Sequence, residues 1–329
     1  MPVLQTEYLG LPLQSPLVVS ASPLSEDIDN LKAMERAGAG AVVLFSLFEE
    51  QIELEEMGHK EYYSKHVKAL PEALQDIAAM TEFKVGAGEY IAHIYRAKKA
   101  VSIPIIASLN GYYSGGWIRY AKLLEAAGAD AIELNTYYLA NDRHTNSSEV
   151  EQMYIDLIKN VSAEVAIPIA VKISPFFTAM AHMAHELAGA GADALVLFNR
   201  FYQPDFDIEA ETVAPTIDLS APQELRLRLR WTALLYGHLQ AQLAITGGVY
   251  GFEDVIKCIM AGSQVAMMTS ALLKYGIDHI AKTLADLDAW LDAHNYRSID
   301  DIRGRLCVYS GANAAAFERA NYMRVLKSY

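Results

Sequence analysis

The sequence is poor in cysteine, in long apolar runs and in the features of an export signal. Its two cysteines, Cys258 and Cys307, are isolated and show no CxxC spacing, which argues against a disulfide framework and a cysteine-ligated iron–sulfur cluster. The longest apolar runs are far shorter than the ~20 residues that a membrane-spanning helix needs. The first residues contain neither the basic nor the apolar segment of a secretion signal. We therefore expect a cytoplasmic protein without a membrane partner.

Positive charge is also scarce, since 27 lysines and arginines stand against 40 aspartates and glutamates, for a net charge of −13. A chain of this sign repels polyanions, so we expect a small-molecule substrate and no nucleic acid. No Pro/Ser-rich linker divides the 329 residues, of which 52% are hydrophobic. We therefore predict one domain over 1–329, with a homodimer as one option for its assembly, and we identify no metal site.

A short phrase recurs three times, at 37–41 (AGAGA), 127–131 (AGADA) and 190–194 (AGADA). Each copy follows an amphipathic stretch and precedes an apolar run, which is typical of a helix, a glycine turn and a buried strand. The last two copies belong to a larger block that opens with 102–105 (SIPI) and again with 166–169 (AIPI). The sequence thus repeats a unit of strand, helix and strand.

Eight apolar segments alternate with helical patterns along the chain. This alternation predicts an α/β fold, the (β/α)8 TIM barrel, while an open doubly wound sheet is disfavoured because the first turn lacks GxGxxG. We expect 49–83 and 202–220 to form lid-like insertions at the carboxyl ends of the strands, and 295–329 to form a C-terminal extension. The predicted strands lie at about 15–23, 41–48, 103–109, 131–137, 167–173, 194–199, 242–246 and 264–268.

The carboxyl ends of the seventh and eighth strands predict a phosphate site. Gly247 and Gly248 end strand seven, and Thr269 and Ser270 end strand eight. In many barrels these two loops present backbone N–H groups to a phosphate, and glycine lets the backbone approach closely. The alternative is an ordinary tight turn, in which glycine is also the usual residue.

Lys172 lies near the carboxyl end of the fifth strand, among apolar neighbours. A buried cation needs a partner, so this lysine indicates an anionic ligand, a Schiff base or an electron-rich cofactor atom. The alternative is a structural salt bridge, for example with Glu133. Asn135 and Asn199 end two related strands, where an amide suits a flavin ring or a planar substrate, or else caps a loop.

Taken in order, these motifs resemble the dihydroorotate dehydrogenase family of FMN-dependent barrels. The resemblance runs from 15–19 (SPLVV) through 133–135 (ELN), 171–173 (VKI) and 247–249 (GGV) to 298–306 (SIDDIRGRL). It implies an FMN-dependent oxidoreductase acting on CH–CH bonds, with hydride transfer between a substrate carbon and flavin N5. It also implies a place in pyrimidine biosynthesis.

The resemblance further implies the position of the cofactor. Lys172 is placed to stabilise negative charge on the reduced flavin, and the two turns after strands seven and eight hold the phosphate. The residues implied to bind FMN are Ser20, Ala21, Ser22, Ser108, Asn110, Asn135, Lys172, Asn199, Gly247, Gly248, Thr269 and Ser270.

The substrate side departs from the family pattern. The base, a serine or cysteine in the family, is replaced by Tyr138, and a phenol with an ordinary pKa of ~10 is a poor proton acceptor. The second strand ends in Phe45 where the family has a lysine, and the family's substrate loop is rewritten at 81–88 (TEFKVGAG). We therefore expect flavin chemistry on an altered substrate, without ordinary activity on dihydroorotate.

Other residues leave alternatives open. His144, after strand four, is a candidate replacement acid or base, although a solvated loop is the plainer interpretation. Arg226, Arg228 and Arg230 alternate with leucines, which indicates a helix surface or subunit contact first and anion binding second. Two functions stand beside the oxidoreductase: a lyase or aldolase acting on a phosphorylated metabolite through Lys172, and a flavin-binding protein without dihydroorotate activity.

Overall fold

Eight parallel strands close into a barrel in the computed structural model, which describes residues 2–56, 87–111, 114–214, 216–307 and 314–328. The strands of these residues are β1 (Thr6–Tyr8), β2 (Leu11–Leu13), β3 (Leu17–Val19), β4 (Ala41–Phe48), β5 (Ile105–Gly111), β6 (Ala131–Thr136), β7 (Ile169–Ile173), β8 (Ala194–Leu197), β9 (Asp205–Asp207), β10 (Thr212–Ala214), β11 (Gln242–Thr246) and β12 (Val265–Met268). The barrel order is β3-β4-β5-β6-β7-β8-β11-β12, closed by pairing of β12 with β3. The predicted (β/α)8 fold is therefore confirmed.

Helices connect the barrel strands and cover them. In the described residues they are α1 (Ile28–Arg36), α2 (Glu49–Glu56), α3 (Ala87–Ala100), α4 (Ser114–Ala126), α5 (Ser147–Ser162), α6 (Met180–Gly189), α7 (Leu225–Leu235), α8 (Phe252–Ala261), α9 (Ser270–Tyr275), α10 (His279–Ala293) and α11 (Ala314–Leu326). None of the helices in the described part of the chain combines the length and the hydropathy needed to cross a bilayer.

The repeated phrase forms the turns that lead from helix to strand. Its glycines Gly38, Gly128 and Gly191 have φ values of 97°, 96° and 112°, a left-handed conformation that glycine adopts without strain. In the two AGADA copies the aspartate also has a role: Asp130 accepts a hydrogen bond from the backbone N–H of Ile105, and Asp193 does the same for Ile169. Each aspartate thereby joins its own turn to the first residue of the preceding barrel strand.

The first copy carries a glycine where the other two carry aspartate, and the structure explains this difference. A Cβ atom on Gly40 would lie 2.2 Å from the carbonyl oxygen of Ser15, so no side chain fits at this position. The strand before this turn is instead held through the Gly40 backbone, whose N–H donates to the Leu17 carbonyl at 2.8 Å. The three copies of the phrase therefore share a backbone conformation, while the contacts that join them to the preceding strand differ.

The barrel interior is apolar at its amino-terminal end and polar at its carboxyl-terminal end. Small residues of alternate strand positions, such as Ala131 and Ala170, fill the lower part, which the β1–β2 hairpin closes with Tyr8, Leu9 and Leu13. Two residues further along these strands, the same face presents Glu133 on β6 and Lys172 on β7. The polar end of the barrel is where the site residues predicted from the sequence converge.

The predicted insertions are only partly covered by the described residues. Helix α2 occupies the start of 49–83, and positions 57–83 lie outside the described residues. The segment 202–220 contains the antiparallel hairpin of β9 and β10, and its later residues line two cavities described below. The extension 295–329 contains a short 3-10 helix (Ile299–Ile302) and α11. The division into one domain, insertion and extension stays a prediction.

A buried histidine links α3 to the loop after β3. His93 is 3% exposed, its Nε2 lies 2.8 Å from the Ser25 carbonyl oxygen, and its ring packs beside Phe45 at a centroid distance of 5.4 Å. Burial lowers the pKa of His93, an effect that the hydrogen bond to Ser25 partly opposes. The neutral imidazole is thus the form that fits the fold.

We predict that His93 contributes to loss of stability at mildly acidic pH. Because its pKa is lower in the folded than in the unfolded state, protonation below the ordinary value of ~6.5 favours unfolding, so this contribution is present above pH ~6.5 and lost as pH falls. The variant His93→Gln should unfold in urea with a flatter pH dependence between pH ~7.5 and ~5.5 than the original protein. The control His144→Gln removes a histidine from an exposed loop, and equal slopes in all three proteins would contradict the prediction.

Candidate active site

The carboxyl ends of the first, fifth, seventh and eighth barrel strands surround a cavity of about 260 Å³, called here the inner cavity. Eight of the residues predicted to bind cofactor line it together. These are Ser20, Ala21, Ser22, Lys172, Gly247, Gly248, Thr269 and Ser270. Residues that lie more than 240 positions apart in the sequence therefore share one wall, as the barrel closure requires.

The first strand is tied to the last two at the edge of the inner cavity. The hydroxyl groups of Ser20 and Thr246 lie 3.0 Å apart, and the Thr269 hydroxyl donates to the Ser20 carbonyl oxygen at 3.0 Å. The Ser20 backbone N–H donates to the Met268 carbonyl oxygen. This network holds the predicted ring side and the predicted phosphate side of the cavity in one rigid frame.

The two-glycine turn after β11 cannot accept side chains. Gly247 and Gly248 have φ values of 90° and 80°. A Cβ atom on Gly247 would lie 2.8 Å from Nη2 of Arg228, and one on Gly248 would lie 2.7 Å from the backbone N of Leu225. The turn therefore lines the cavity with bare backbone, which is the surface that a phosphate group can approach.

Ser220, which sequence analysis did not identify, joins this turn from the loop after β10. Its hydroxyl oxygen accepts a hydrogen bond from the Gly248 N–H at 3.1 Å and lies 2.8 Å from the Ser270 hydroxyl oxygen. The Tyr250 hydroxyl donates to the Ser220 carbonyl oxygen at 2.7 Å. The end of the 202–220 segment is thus part of the inner cavity.

Lys172 forms a buried ion pair with Glu133. The Lys172 Nζ lies 3.4 Å from Oε1 of Glu133, whose side chain is fully buried inside the barrel. The salt bridge considered as an alternative in the sequence is therefore confirmed, and Lys172 lines the inner cavity as well. The carboxylate is too deep to reach the cavity, so it holds the ammonium group at the barrel mouth.

Three buried polar atoms in this region have no hydrogen-bond partner among the described residues: Oγ of Ser22, Oδ1 of Asn135 and, deeper in the barrel, Oε2 of Glu133. Leaving such an atom unsatisfied costs about 1–3 kcal/mol, so Ser22 and Asn135, at the barrel mouth, are suited to a polar ligand. Asn135 pairs in register with Lys172 on one side and with Asn110 on the other. It therefore lies between the inner cavity and the second cavity, which Asn110 lines.

This second cavity, called here the outer cavity, has a volume of about 430 Å³ and aromatic walls. The rings of Tyr137 and Phe201 stack with centroids 4.5 Å apart, and the Tyr137 hydroxyl oxygen accepts a hydrogen bond from the Tyr202 N–H at 3.0 Å. Asn110, Arg200, Gln203 and Asp218 are among its polar residues, together with Glu50 and Thr216. Arg200, Ile217 and Asp218 line both cavities.

Besides Asn110 and Asn135, three predicted residues do not line the inner cavity. Ser108 is fully buried, with its hydroxyl oxygen 2.8 Å from that of Ser46. The Asn199 amide donates to the carbonyl oxygens of Thr136 and Lys172, so it braces the strands. Tyr138 lines a different cavity on the outer side of β6 and donates its backbone N–H to the Tyr154 hydroxyl oxygen. Their roles in cofactor binding or catalysis stay predictions.

The position of Arg228 corrects the first interpretation of the arginine series. Arg226 and Arg230 are exposed, but Arg228 is buried and lines the inner cavity, so assigning it to the helix surface was wrong. The helical period explains the difference, because the buried positions of α7 are spaced three and four apart: Leu225, Arg228, Thr232 and Leu235. That spacing is visible in the sequence.

Phe45 occupies the strand end where a lysine was expected by resemblance. Its ring packs edge-on against Tyr90, with centroids 5.0 Å apart, and its backbone N–H donates to the Ser25 hydroxyl oxygen at 2.7 Å. A register shift between Val43 and Ser46 accompanies this arrangement. Phe45 therefore serves the packing of α3 and contributes no charge to the site.

Comparison with known proteins connects the whole chain to one family. The family model described as "Dihydroorotate dehydrogenase" matches residues 3–291. A "Putative dihydroorotate dehydrogenase A (fumarate)" of Aeropyrum pernix is 24% identical over 312 residues, which cover 92% of this chain and 97% of the relative. A "Dihydroorotate dehydrogenase B (NAD(+)), catalytic subunit" of Methanocella arvoryzae is 28% identical over 301 residues, covering 90% and 95%. The match spans nearly the full length of each protein.

We predict that Lys172 and Glu133 are energetically coupled. Lys172→Met leaves a carboxylate without its partner inside the barrel and should lower the free energy of unfolding by about 3 kcal/mol or more. Glu133→Gln in the same chain should restore most of that loss, since the neutral amide no longer needs a cation. Urea unfolding of both single variants and the double variant measures the coupling.

The matched control is Lys122→Met, which breaks an ion pair with Glu164 whose side chains are 52% and 42% exposed and should cost no more than about 1 kcal/mol. Strictly additive effects of the Lys172 and Glu133 substitutions would contradict the coupling.

Proposed function

Because the chain belongs to the dihydroorotate dehydrogenase family, we propose that it is an FMN-dependent oxidoreductase with its cofactor in the inner cavity. The observation that carries this proposal is the composition of that cavity. A side-chain-free turn at Gly247 and Gly248, the hydroxyl groups of Thr269 and Ser270, and the ammonium group of Lys172 face one space. FMN consists of a phosphate, a ribityl chain and an electron-rich ring, and this combination of groups offers contacts to all three.

The residues present fit FMN. The two glycines leave a cradle that a Cβ atom would fill, and the unpartnered Ser22 Oγ and Asn135 Oδ1 are buried atoms that a bound ring with polar edges would satisfy. In this proposal the turns after β11 and β12 hold the phosphate, and residues 20–22 with Asn135 lie along the ring. Asn110 faces the outer cavity and so lies on the substrate side.

FMN, when bound, supplies a carrier that accepts a hydride from a substrate carbon. Lys172 provides the positive charge that stabilises negative charge in the inner cavity, and Glu133 keeps that charge in place without competing for the ligand. The fully buried Ser108 pairs in register with Glu133 on β6, and its hydroxyl oxygen lies 2.8 Å from that of the partly buried Ser46. In this proposal these residues orient and stabilise the bound cofactor, and they do not determine which substrate is used.

For the substrate we propose a planar compound other than dihydroorotate, bound in the outer cavity. Aromatic walls favour a flat ring, and Arg200 with Asn110 offers hydrogen-bond donors for an acidic or carbonyl group. The position of the family's base is Tyr138 here, and its ring lies outside both cavities, whereas Tyr137 lines the outer one. A cytoplasmic location and a homodimer stay predictions.

We predict that the protein binds FMN and takes on the visible absorption of oxidised flavin. Gly248→Ala should weaken FMN binding by about 10- to 100-fold, because alanine is strained at a positive φ and would press on the Leu225 backbone. Gly189→Ala is the control, since nothing lies within 4 Å of an added Cβ atom there. Fluorescence titration of apoprotein with FMN measures both.

A protein that gains no flavin absorption when incubated with FMN would contradict this function. In that case, trapping of a phosphorylated carbonyl compound on Lys172 by borohydride would support the lyase alternative.

We further predict that dihydroorotate is a poor reductant of the bound cofactor. A positioned general base contributes about 10²- to 10⁴-fold, so under anaerobic stopped-flow conditions reduction should be at least ~100-fold slower than in a relative with a serine or cysteine base. Tyr138→Phe should leave that slow rate unchanged. Fast reduction by dihydroorotate that Tyr138→Phe abolishes would show that Tyr138 is the base and that the proposed substrate change is wrong.

A further inference from the structure

Arg228 is a buried cation at the edge of the inner cavity. It is 5% exposed, although it belongs to α7, whose neighbouring arginines face solvent. Its Nε donates to the Thr246 carbonyl oxygen and its Nη1 donates to the Glu224 carbonyl oxygen at 2.7 Å. These two contacts fix the plane of the guanidinium group beside the last residue of β11. Its remaining edge faces the Gly247 turn, where an added Cβ atom would lie 2.8 Å from Nη2.

The guanidinium group is only partly satisfied by the described residues. It carries five N–H donors, and Nη2 makes no hydrogen bond to any described residue. The nearest carboxylate oxygen, Oε2 of Glu224, lies 3.9 Å from Nη2. Burial lowers the pKa of Arg228, with Glu224 opposing that effect and Arg200 adding to it. A buried cation with free donors is costly unless a ligand completes its contacts.

Glu224 cannot neutralise this region alone. Its Oε1 accepts hydrogen bonds from Arg200 Nη1 at 3.1 Å and from the Ala221 N–H at 2.9 Å, so one carboxylate serves two arginines. The inner cavity as a whole is lined by three cations, Lys172, Arg200 and Arg228, and by one carboxylate, Asp218. Two carboxylates behind the lining also pair with these cations, Glu133 with Lys172 and Glu224 with Arg200. The Nη2 group of Arg228, which makes no hydrogen bond to a described residue, is therefore the donor that an anion in this cavity would satisfy.

We propose that Arg228 is a charged anchor for the phosphate of the bound cofactor, acting through its Nη2 edge beside the Gly247 turn. The inference rests on the proposed function. A phosphate monoester carries about −1.5 to −2 charges near neutral pH and three acceptor oxygens, which suit the unpartnered N–H groups on Nη2 of Arg228. The backbone turn recognises the shape of the phosphate, and Arg228 adds the charge that bare backbone lacks.

The test compares FMN with riboflavin, which has the same ring and ribityl chain without the phosphate. Dissociation constants are measured by flavin fluorescence for the original protein, Arg228→Gln, Arg228→Lys and the exposed control Arg226→Gln. Arg228→Gln should weaken FMN binding by about 10- to 100-fold while riboflavin binding changes less than about 3-fold. Arg228→Lys should keep part of the preference, because it retains the charge but loses the planar fork. Arg226→Gln should change neither.

FMN affinity measured over a range of pH distinguishes an ion pair between Arg228 and the phosphate from a purely structural role of Arg228 beside the Gly247 turn. FMN affinity of the original protein should rise as the phosphate loses its second proton near pH ~6, and this rise should be flatter in Arg228→Gln. Riboflavin affinity, measured at the same pH values, corrects for changes in the protein itself. If Arg228→Gln does not fold, the loss of FMN-over-riboflavin preference in Arg228→Lys, expected at about 3- to 10-fold, decides the question.

The outcomes separate the two proposals. An original protein that binds neither flavin overturns the proposed function and this inference together. An original protein that binds FMN, with an unchanged FMN-over-riboflavin preference in the folded Arg228 variants, overturns only the role of Arg228.

Discussion

The ion pair between Lys172 and Glu133 determines what the carboxyl end of this barrel can hold. A fully buried carboxylate needs a cation, and Glu133 finds one in Lys172, which lies two residues beyond its register partner Ala170 on β7. The pair places two charged side chains in the layer of the barrel interior nearest the carboxyl ends of the strands, while the layer below is apolar. The inner cavity lies beside this pair, and the position of the Lys172 ammonium group at its wall depends on the contact with Glu133.

The rest of the barrel fixes the positions of the strands that carry this ion pair. The turns at the opposite end are fixed by left-handed glycines, and Asp130 and Asp193 connect each turn to the start of the preceding strand. Since side chains alternate along a strand, fixing the starts of β5 and β7 also fixes which residues reach the mouth. The turns at the amino-terminal end of the barrel therefore determine which side chains lie at its carboxyl-terminal end.

The fold could be predicted from the sequence because apolar runs and glycine turns are local signals, and the bounds of the seven barrel strands after β3 agree to within two residues. Eight of the residues predicted to bind the cofactor meet at one cavity because the carboxyl ends of the barrel strands lie at one edge, and their role in binding stays a prediction. Tyr138 was chosen by position in a resemblance, yet alternation from Glu133 and Asn135 already assigns the inward face to Tyr137. For Arg228 the sequence interpretation put a helix surface or subunit contact before anion binding, because the alternation of leucines and arginines was weighed ahead of the three- and four-residue spacing of the buried positions. Ser220 could not be predicted, since its place depends on how a long loop returns to the barrel.

The wall shared by the two cavities has a thermodynamic consequence. Arg200, Ile217 and Asp218 line both spaces, and the same loop ends in Ser220, which is bonded to the Gly248 turn. A ligand that shifts this loop from one side changes the binding free energy of a ligand on the other side. By linkage the effect is reciprocal, so a ligand in the inner cavity and a ligand in the outer cavity change each other's binding free energy by the same amount.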